Sequence, residues 1–167
     1  MKKAYALFTV LFVIVQFISA QESLDDVLKR YNNNDIPYIS VEELVAQKAT
    51  ITLLDVREFK EYNVSHLKGA IYVGYDDFQL EKITTQIPTR NKTIVVYCSL
   101  GIRSEVIANK LKKAGYTNVR NLYGGIFEWK NKDFDVYNSE EKKTDSIHTY
   151  SKTWSKWLNK GTKVYSE

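Results

Sequence analysis

Residues 93–115 read TIVVYCSLGIRSEVIANKLKKAG. Thr93–Tyr97 is the most β-branched stretch of the chain and predicts a strand. Ser104–Ala114 places Ile107, Leu111 and Ala114 at helical spacing, with Gly115 positioned to stop the helix at C′. Between the two lies a loop, Cys98-Ser99-Leu100-Gly101-Ile102-Arg103. A buried strand feeding a helix through a short loop is half of a βαβ unit, so the flanking sequence should repeat the rhythm.

Upstream, Ser40 and Glu43 make a capping-box pattern for a helix over 41–47. Ile51–Val56 is a short, nearly continuous apolar run holding Asp55, as expected of a strand buried on both faces. Ala70–Val73 predicts another strand, and Asp76–Ile87 a helix whose Phe78, Leu80, Ile83 and Ile87 can face a core. Downstream, Val119–Leu122 predicts the last strand. Gly124-Gly125 follows, read as a tight turn because no G-x-G-x-x-G spacing surrounds it. Alternating strands and helices with short connections predict an α/β domain with a parallel sheet, whose ligands bind beyond the carboxyl ends of the strands.

Composition narrows the function classes. The chain has 167 residues, of which 44% are hydrophobic and 26% charged, with 7 Gly, 2 Pro, 2 His and 1 Cys. One cysteine cannot form an intrachain disulfide, and the Cys/His set is too small for a zinc cluster, so neither metal nor cofactor is expected. The formal net charge is +4, with acids and bases interspersed, so a nucleic-acid partner is not expected.

The two ends differ in texture from the middle. Lys2 and Lys3 precede an apolar run over 4–18 that closes with Ser19-Ala20, which reads as a secretory signal peptide, residues 1–20, cleaved after Ala20. The run is short of the roughly 20 residues that span hydrocarbon, and Gln16 interrupts it; the alternative is a retained anchor. The expected location is therefore periplasmic or secreted. Residues 21–37 predict a short helical extension, with Leu24, Val27, Leu28 and Tyr31 on one face and the turn-forming Asn32-Asn33-Asn34-Asp35 after it. Beyond the core, residues 138–167 place Ile147, Tyr150, Trp154, Trp157 and Leu158 opposite Lys152, Lys156 and Lys160, which predicts a basic amphipathic helix. Such a helix docks its aromatic face on its own domain or, in the second reading, makes weak contact with an anionic membrane surface through 147–160.

Cys98 stands where an α/β fold places its chemistry. A loop between a strand end and a helix N-terminus aims backbone N–H groups and the positive end of the helix dipole at one point, which stabilises a thiolate and raises nucleophilicity at neutral pH. Gly101 permits a turn that a side chain would obstruct. Arg103 supplies a fixed cation able to pair with an anionic substrate. The competing reading is a buried structural thiol, because free cysteine is among the most buried residue types.

Four separated segments turn that balance. Asp55-Val56-Arg57-Glu58, His66-Leu67-Lys68-Gly69-Ala70-Ile71, Cys98-Ser99-Leu100-Gly101-Ile102-Arg103 and Tyr123-Gly124-Gly125-Ile126-Phe127-Glu128-Trp129 resemble, in order, the D-x-R-E, H-I-x-G-A-I, C-x-x-G-x-R and L-x-G-G-x-x-x-W segments of rhodanese-like (sulfurtransferase) domains. The resemblance covers residues 38–137 and implies the three-layer fold of that family, a central parallel sheet flanked by helices. It implies that Cys98 takes a sulfane sulfur from thiosulfate or a persulfide donor and holds it as a persulfide for a thiophilic acceptor, a thiol or cyanide. Ser99, Leu100, Gly101, Ile102, Arg103 and Ser104 would form the active-site loop, the amides of 99–103 stabilising the sulfur anion. Asp55, Arg57 and His66 would support the pocket.

Three points of the resemblance bear on specificity. Ser99 occupies a position where many members carry Arg, Lys or Gln, so a cation suited to thiosulfate is missing there. Leu100 and Ile102 make the loop mouth apolar, simply read as packing, but also suited to a hydrophobic donor, a low-molecular-weight persulfide or a partner protein's thiol. In the resemblance His66 belongs to a structural turn rather than serving as a general base, and the second reading of Asp55 with Arg57 is a structural ion pair alone. Phosphatase and arsenate-reductase loops have C-x5-R, one residue longer than here, which disfavours that chemistry. The alternative of another class is a non-catalytic binding module that uses the same pocket to recognise a partner.

Overall fold

The computed structural model describes residues 22–165. The predicted signal peptide lies outside the described residues. Nine strands and six helices follow in order: α1 (Leu24–Tyr31), β1 (Tyr38–Ile39), α2 (Val41–Gln47), β2 (Thr52–Asp55), α3 (Phe59–Val64), β3 (Ile71–Tyr72), α4 (Leu80–Gln86), β4 (Ile94–Tyr97), α5 (Ile102–Lys113), β5 (Val119–Leu122), α6 (Gly125–Asn131), β6 (Val136–Tyr137), β7 (Lys143–Thr144), β8 (Ser146–His148) and β9 (Thr162–Val164) among the described residues.

The sheet follows from the apolar runs. β1 to β5 form one five-stranded parallel sheet in the order β1-β5-β4-β2-β3, with β4 central. Every residue of β4 is buried, as a strand covered on both faces requires. Its side chains alternate between two cores. Ile94 and Val96 pack with Ile83 and Ile87, around α4, and with Ile107, Ala108 and Leu111 of α5. Val95 and Tyr97 pack with Val41 and Leu44 of α2 and Ile126, Phe127 and Trp129 of α6. The expected α/β fold with helices on both faces of a parallel sheet is what the chain adopts. Cys98 continues the alternation and falls in the α5-side core.

Several element boundaries differ from the sequence expectation for local reasons. The helix expected over 76–87 begins only at Leu80, because Gly74 turns at φ +69° and residues 75–77 form a bend that brings Phe78 against the core. α5 starts at Ile102 rather than Ser104, its N-cap being Gly101 at φ +115°. α3 and α6 are absent from the sequence reading; both are too short to present a periodic pattern.

The largest correction concerns the tail. The amphipathic helix expected through 147–160 does not form. β8 and β9 pair in parallel, and a single 3₁₀ turn spans Trp154–Trp157 between them. Ser151 and Ser155 bond locally, the Ser151 hydroxyl accepting from Trp154 N–H and the Ser155 hydroxyl donating to the Lys152 carbonyl, in competition with a helical ladder. Ile147 and Leu158 are buried in the α2/α6-side core, and the Asn131 side chain bonds the backbone of Trp157, Asn159 and Lys160. The tail is thus docked on the domain as an irregular strap.

Asp55, at the end of β2, and Arg57 are both fully buried and joined at 2.6 Å. Arg57 also donates to the Ser65 carbonyl at 2.6 Å, tying β2 to the segment entering β3. Removing the carboxylate strands a buried cation, so Asp55→Ala should lower the unfolding free energy by about 3–5 kcal/mol. Urea denaturation of the two proteins measures this directly, and a change below about 1 kcal/mol, the scale of an exposed pair, would contradict it.

Candidate active site

Cys98 follows β4 at the carboxyl edge of the sheet and is 2% exposed. The chain then turns so that Gly101 N–H donates to Cys98 Sγ at 3.1 Å. A φ of +115° at Gly101 makes this turn accessible to glycine and strained for other residues. Ser104, in the first turn of α5, donates its hydroxyl toward Sγ at 3.5 Å. Burial pushes the thiol pKa up, but the Arg103 guanidinium, the Ser104 hydroxyl and the Ser104 and Gly101 amides together hold it below its ordinary value.

The loop is braced from behind by residues that the sequence reading did not single out. The single Ser104 hydroxyl proton is shared between two acceptors, Asn121 Oδ1 of β5 at 2.7 Å and Cys98 Sγ at 3.5 Å, and Asn121 Nδ2 donates to the Gly101 carbonyl at 2.7 Å. Asn32, just after α1, donates to the same carbonyl at 2.9 Å. Their signal was present in part: a buried strand read as VRNL holds an asparagine that needs partners. The Gly-Gly pair also belongs to the site. Ile126 and Phe127 N–H donate to the Cys98 and Ser99 carbonyls at 3.0 and 3.2 Å, and a Cβ on Gly125 would lie 2.2 Å from the Cys98 carbonyl oxygen. The glycine is required by a close approach of α6 to the loop, beyond the turn itself.

Arg103 is engaged by an internal carboxylate. Its guanidinium bonds both oxygens of Glu61 at 2.6 and 2.8 Å and the Ser99 hydroxyl at 3.0 Å, and Ser99 in turn donates to Glu61 at 3.1 Å. Glu61 is fully buried, and although desolvation opposes its charge, Arg103 and then Arg57 keep its carboxyl below the usual range. The cation expected to meet an anionic substrate is therefore held by an internal carboxylate. Glu61 escaped the sequence reading because an acid on a six-residue helix resembles an ordinary surface residue.

A small cavity of about 120 Å³ opens over the thiol, lined by Cys98, Ser99, Leu100, Ile102, Arg103, Tyr150 and Trp154. Leu100 is both core and lining. Asp55, Arg57 and His66 are not among the lining residues. Asp55 and Arg57 act as the ion pair described above. His66 stacks on Tyr62 with centroids 4.0 Å apart, pairs with Tyr137 in an isolated bridge, and meets Glu141 through Nε2 at 3.0 Å. It fastens the β6–β7 region to the domain, as its expected place in a structural turn implies.

Comparison with known proteins gives a consistent picture. A family model described as the rhodanese-like domain matches residues 40–132. YrkF of Bacillus subtilis, whose name proposes a sulfur-carrier role, is 33% identical over 104 residues, covering 60% of this chain and 55% of that protein. The chain thus spans about half the length of that relative. The thiosulfate sulfurtransferase PspE of Escherichia coli is 37% identical over 71 residues, covering 42% of this chain and 67% of that protein. Among solved structures, the rhodanese-like domain of the Anabaena Alr3790 protein has a TM-score of 0.55 at 25% identity, covering 61% of this chain and 79% of that one.

The geometry predicts the titration of the thiol. Alkylation of Cys98 by iodoacetamide, followed against pH, should show a midpoint below the free-thiol value of about 8.5. Ser104→Ala removes a bond to the anion and should move the midpoint upward; an unchanged midpoint would mean that the hydroxyl does not serve the sulfur. Gly125→Ala should lower the melting temperature and slow alkylation together, since the added methyl meets the loop backbone that shapes the anion site.

Proposed function

The protein belongs to the rhodanese-like domain family, and from that premise we propose that it is a sulfurtransferase whose covalent intermediate is a Cys98 persulfide. The observation that carries this reading is a buried thiol with Gly101 N–H at 3.1 Å and the Ser104 hydroxyl at 3.5 Å from Sγ, its pKa lowered, under an open cavity. A structural cysteine needs no such donors. The names of PspE and YrkF, which concern sulfur transfer and carriage, support the same chemistry.

In the first half-reaction the Cys98 thiolate attacks the outer sulfur of the donor. With thiosulfate the S–S bond breaks, sulfite leaves with its electron pair, and Cys98–S–S⁻ remains. In the second, a thiolate or cyanide attacks the terminal sulfur and carries it away, regenerating the Cys98 thiolate. The donors that hold the thiolate are fixed before reaction and serve the persulfide anion as well, which is preorganised electrostatic stabilisation. Arg103 contributes at one remove, its charge shaping the loop potential while Glu61 orients it. The loop has four residues between Cys98 and Arg103, and this ring suits a single sulfur atom better than a phosphoryl group. The proposed location, supported by the leader-like first twenty residues, is the periplasm or the cell exterior. There an external thiol or partner must discharge the sulfur, since the chain has no second cysteine.

Intact mass tests the proposal. Thiosulfate or an organic persulfide should add about 32 Da, one sulfur atom, to the reduced wild type, cyanide should remove it, and Cys98→Ser should gain nothing. Absence of any gain from both donors, with Cys98 titrating as a free thiol, would leave the binding-module reading in its place.

A further inference from the structure

Two of the residues over the thiol come from outside the family match. Tyr150 and Trp154 belong to the strap between β8 and β9, beyond residue 132. Tyr150 holds a left-handed backbone at φ +62°, rare for an aromatic residue, with its N–H donating to His148 Nδ1 at 3.1 Å. This conformation sets its ring over the Arg103 guanidinium, 4.8 Å from centroid to carbon. Trp154 is held from its far side by Tyr31 of α1, in edge contact at 5.8 Å. Trp154 also packs against the α2/α6-side core, so one side chain both anchors the strap and, with Tyr150, places an aromatic ring at the mouth above Cys98.

The same walls determine what can enter. Leu100, Ile102, Tyr150 and Trp154 supply apolar surface, while Arg103, the cation of the lining, is bound by Glu61 on one side and covered by Tyr150 on the other. A small dianion such as thiosulfate finds no unpaired positive side chain in this lining, and must surrender hydration to enter. A compact apolar group finds surface to bury, and about 120 Å³ is the scale of one such group. Resting on the sulfurtransferase reading above, we propose that the C-terminal strap makes Tyr150 and Trp154 specificity-determining residues, and that the preferred donor is a low-molecular-weight organic persulfide, R–S–S⁻, with R compact and apolar. Cys98 bonds the terminal sulfur, the R–S–S⁻ bond breaks, and R–S⁻ leaves with the bonding pair, so that one sulfane sulfur passes and no oxidant is consumed. R rests against Trp154 and Tyr150 while this happens.

Thiosulfonates, R–SO₂–S⁻, carry the same transferable sulfur and release a sulfinate, and they are stable probes of the R pocket. Single-turnover loading of Cys98 is followed by intact mass with thiosulfate, methanethiosulfonate and benzenethiosulfonate, on the wild type, Trp154→Ala, Tyr150→Ala and Trp154→Phe. Intrinsic donor reactivity cancels when the benzene-to-methane rate ratio is compared between proteins. The ratio should fall about tenfold in Trp154→Ala and in Tyr150→Ala, and Trp154→Phe should retain most of it, a magnitude typical of one apolar contact in a pocket. Melting curves accompany each variant, and Trp154→Phe keeps the test valid where the alanine variant unfolds. A ratio that is the same in all four proteins overturns the proposal while leaving the sulfurtransferase reading intact. So does efficient loading from a protein persulfide with slow loading from every small donor. Failure of every donor to add sulfur sinks the sulfurtransferase reading itself, and the specificity proposal with it.

Discussion

A thiolate that is almost wholly removed from water cannot persist unless positive potential reaches it from the protein, and most of the arrangement around Cys98 serves that requirement. Its burial in the α5-side core raises the energy of the charged form. Arg103, the Ser104 hydroxyl and two loop amides reverse the balance. Each of these donors is itself fixed by something further out. Arg103 is oriented by Glu61, the Gly101 carbonyl is held by Asn121 and Asn32, and the Cys98 and Ser99 carbonyls are taken by α6. With the carbonyls of Cys98, Ser99 and Gly101 bound elsewhere, the Gly101 and Ser104 amides are directed at the sulfur.

This dependence explains why distant segments converge on one loop. α1 lies before the family match, yet Leu28 approaches Gly101 to 3.5 Å of a built Cβ and Asn32 bonds its carbonyl. The strap lies after the match and covers the opposite side with Tyr150 and Trp154. Tyr31 and Trp154 then join the two extensions to each other. The loop around the sulfur is supplied by the central domain, and the aromatic wall of the cavity above it by the segment that follows the family match.

The sheet was readable because burial on both faces leaves a mark that needs no partner to interpret: TIVVY and the run over 51–56 are apolar without alternation. Cys98, Gly101 and Ser104 were readable because the positions of a strand end and a helix start are local. Glu61 was not, since an acid gives no sign in the sequence of whether water or a buried arginine will meet it, and Asn121 only in part, since a strand asparagine needs partners without naming them. Arg103 was identified as a site residue, but its partner was not, because the carboxylate that pairs with it lies 42 residues away in the chain. The tail shows the same limit from the other direction. Its apolar residues fall at helical spacing, yet Ile147 and Leu158 are buried by strands and a 3₁₀ turn, since tertiary docking and local serine bonds outweigh a weak periodicity.

By itself, then, the sequence determined the α/β class, the order of strands β2 to β5 and the position of the one cysteine at the carboxyl edge of the sheet, all of which depend on patterns within a few residues. The tertiary structure decided which charges neutralise one another and which surfaces close the cavity. Those outcomes depend on side chains far apart in the chain, whose partners are chosen by the energy of burial: Glu61 and Arg103 pair because neither could be buried alone, and Trp154 and Tyr150 overhang the thiol because the strap that carries them is anchored by its own buried Ile147 and Leu158.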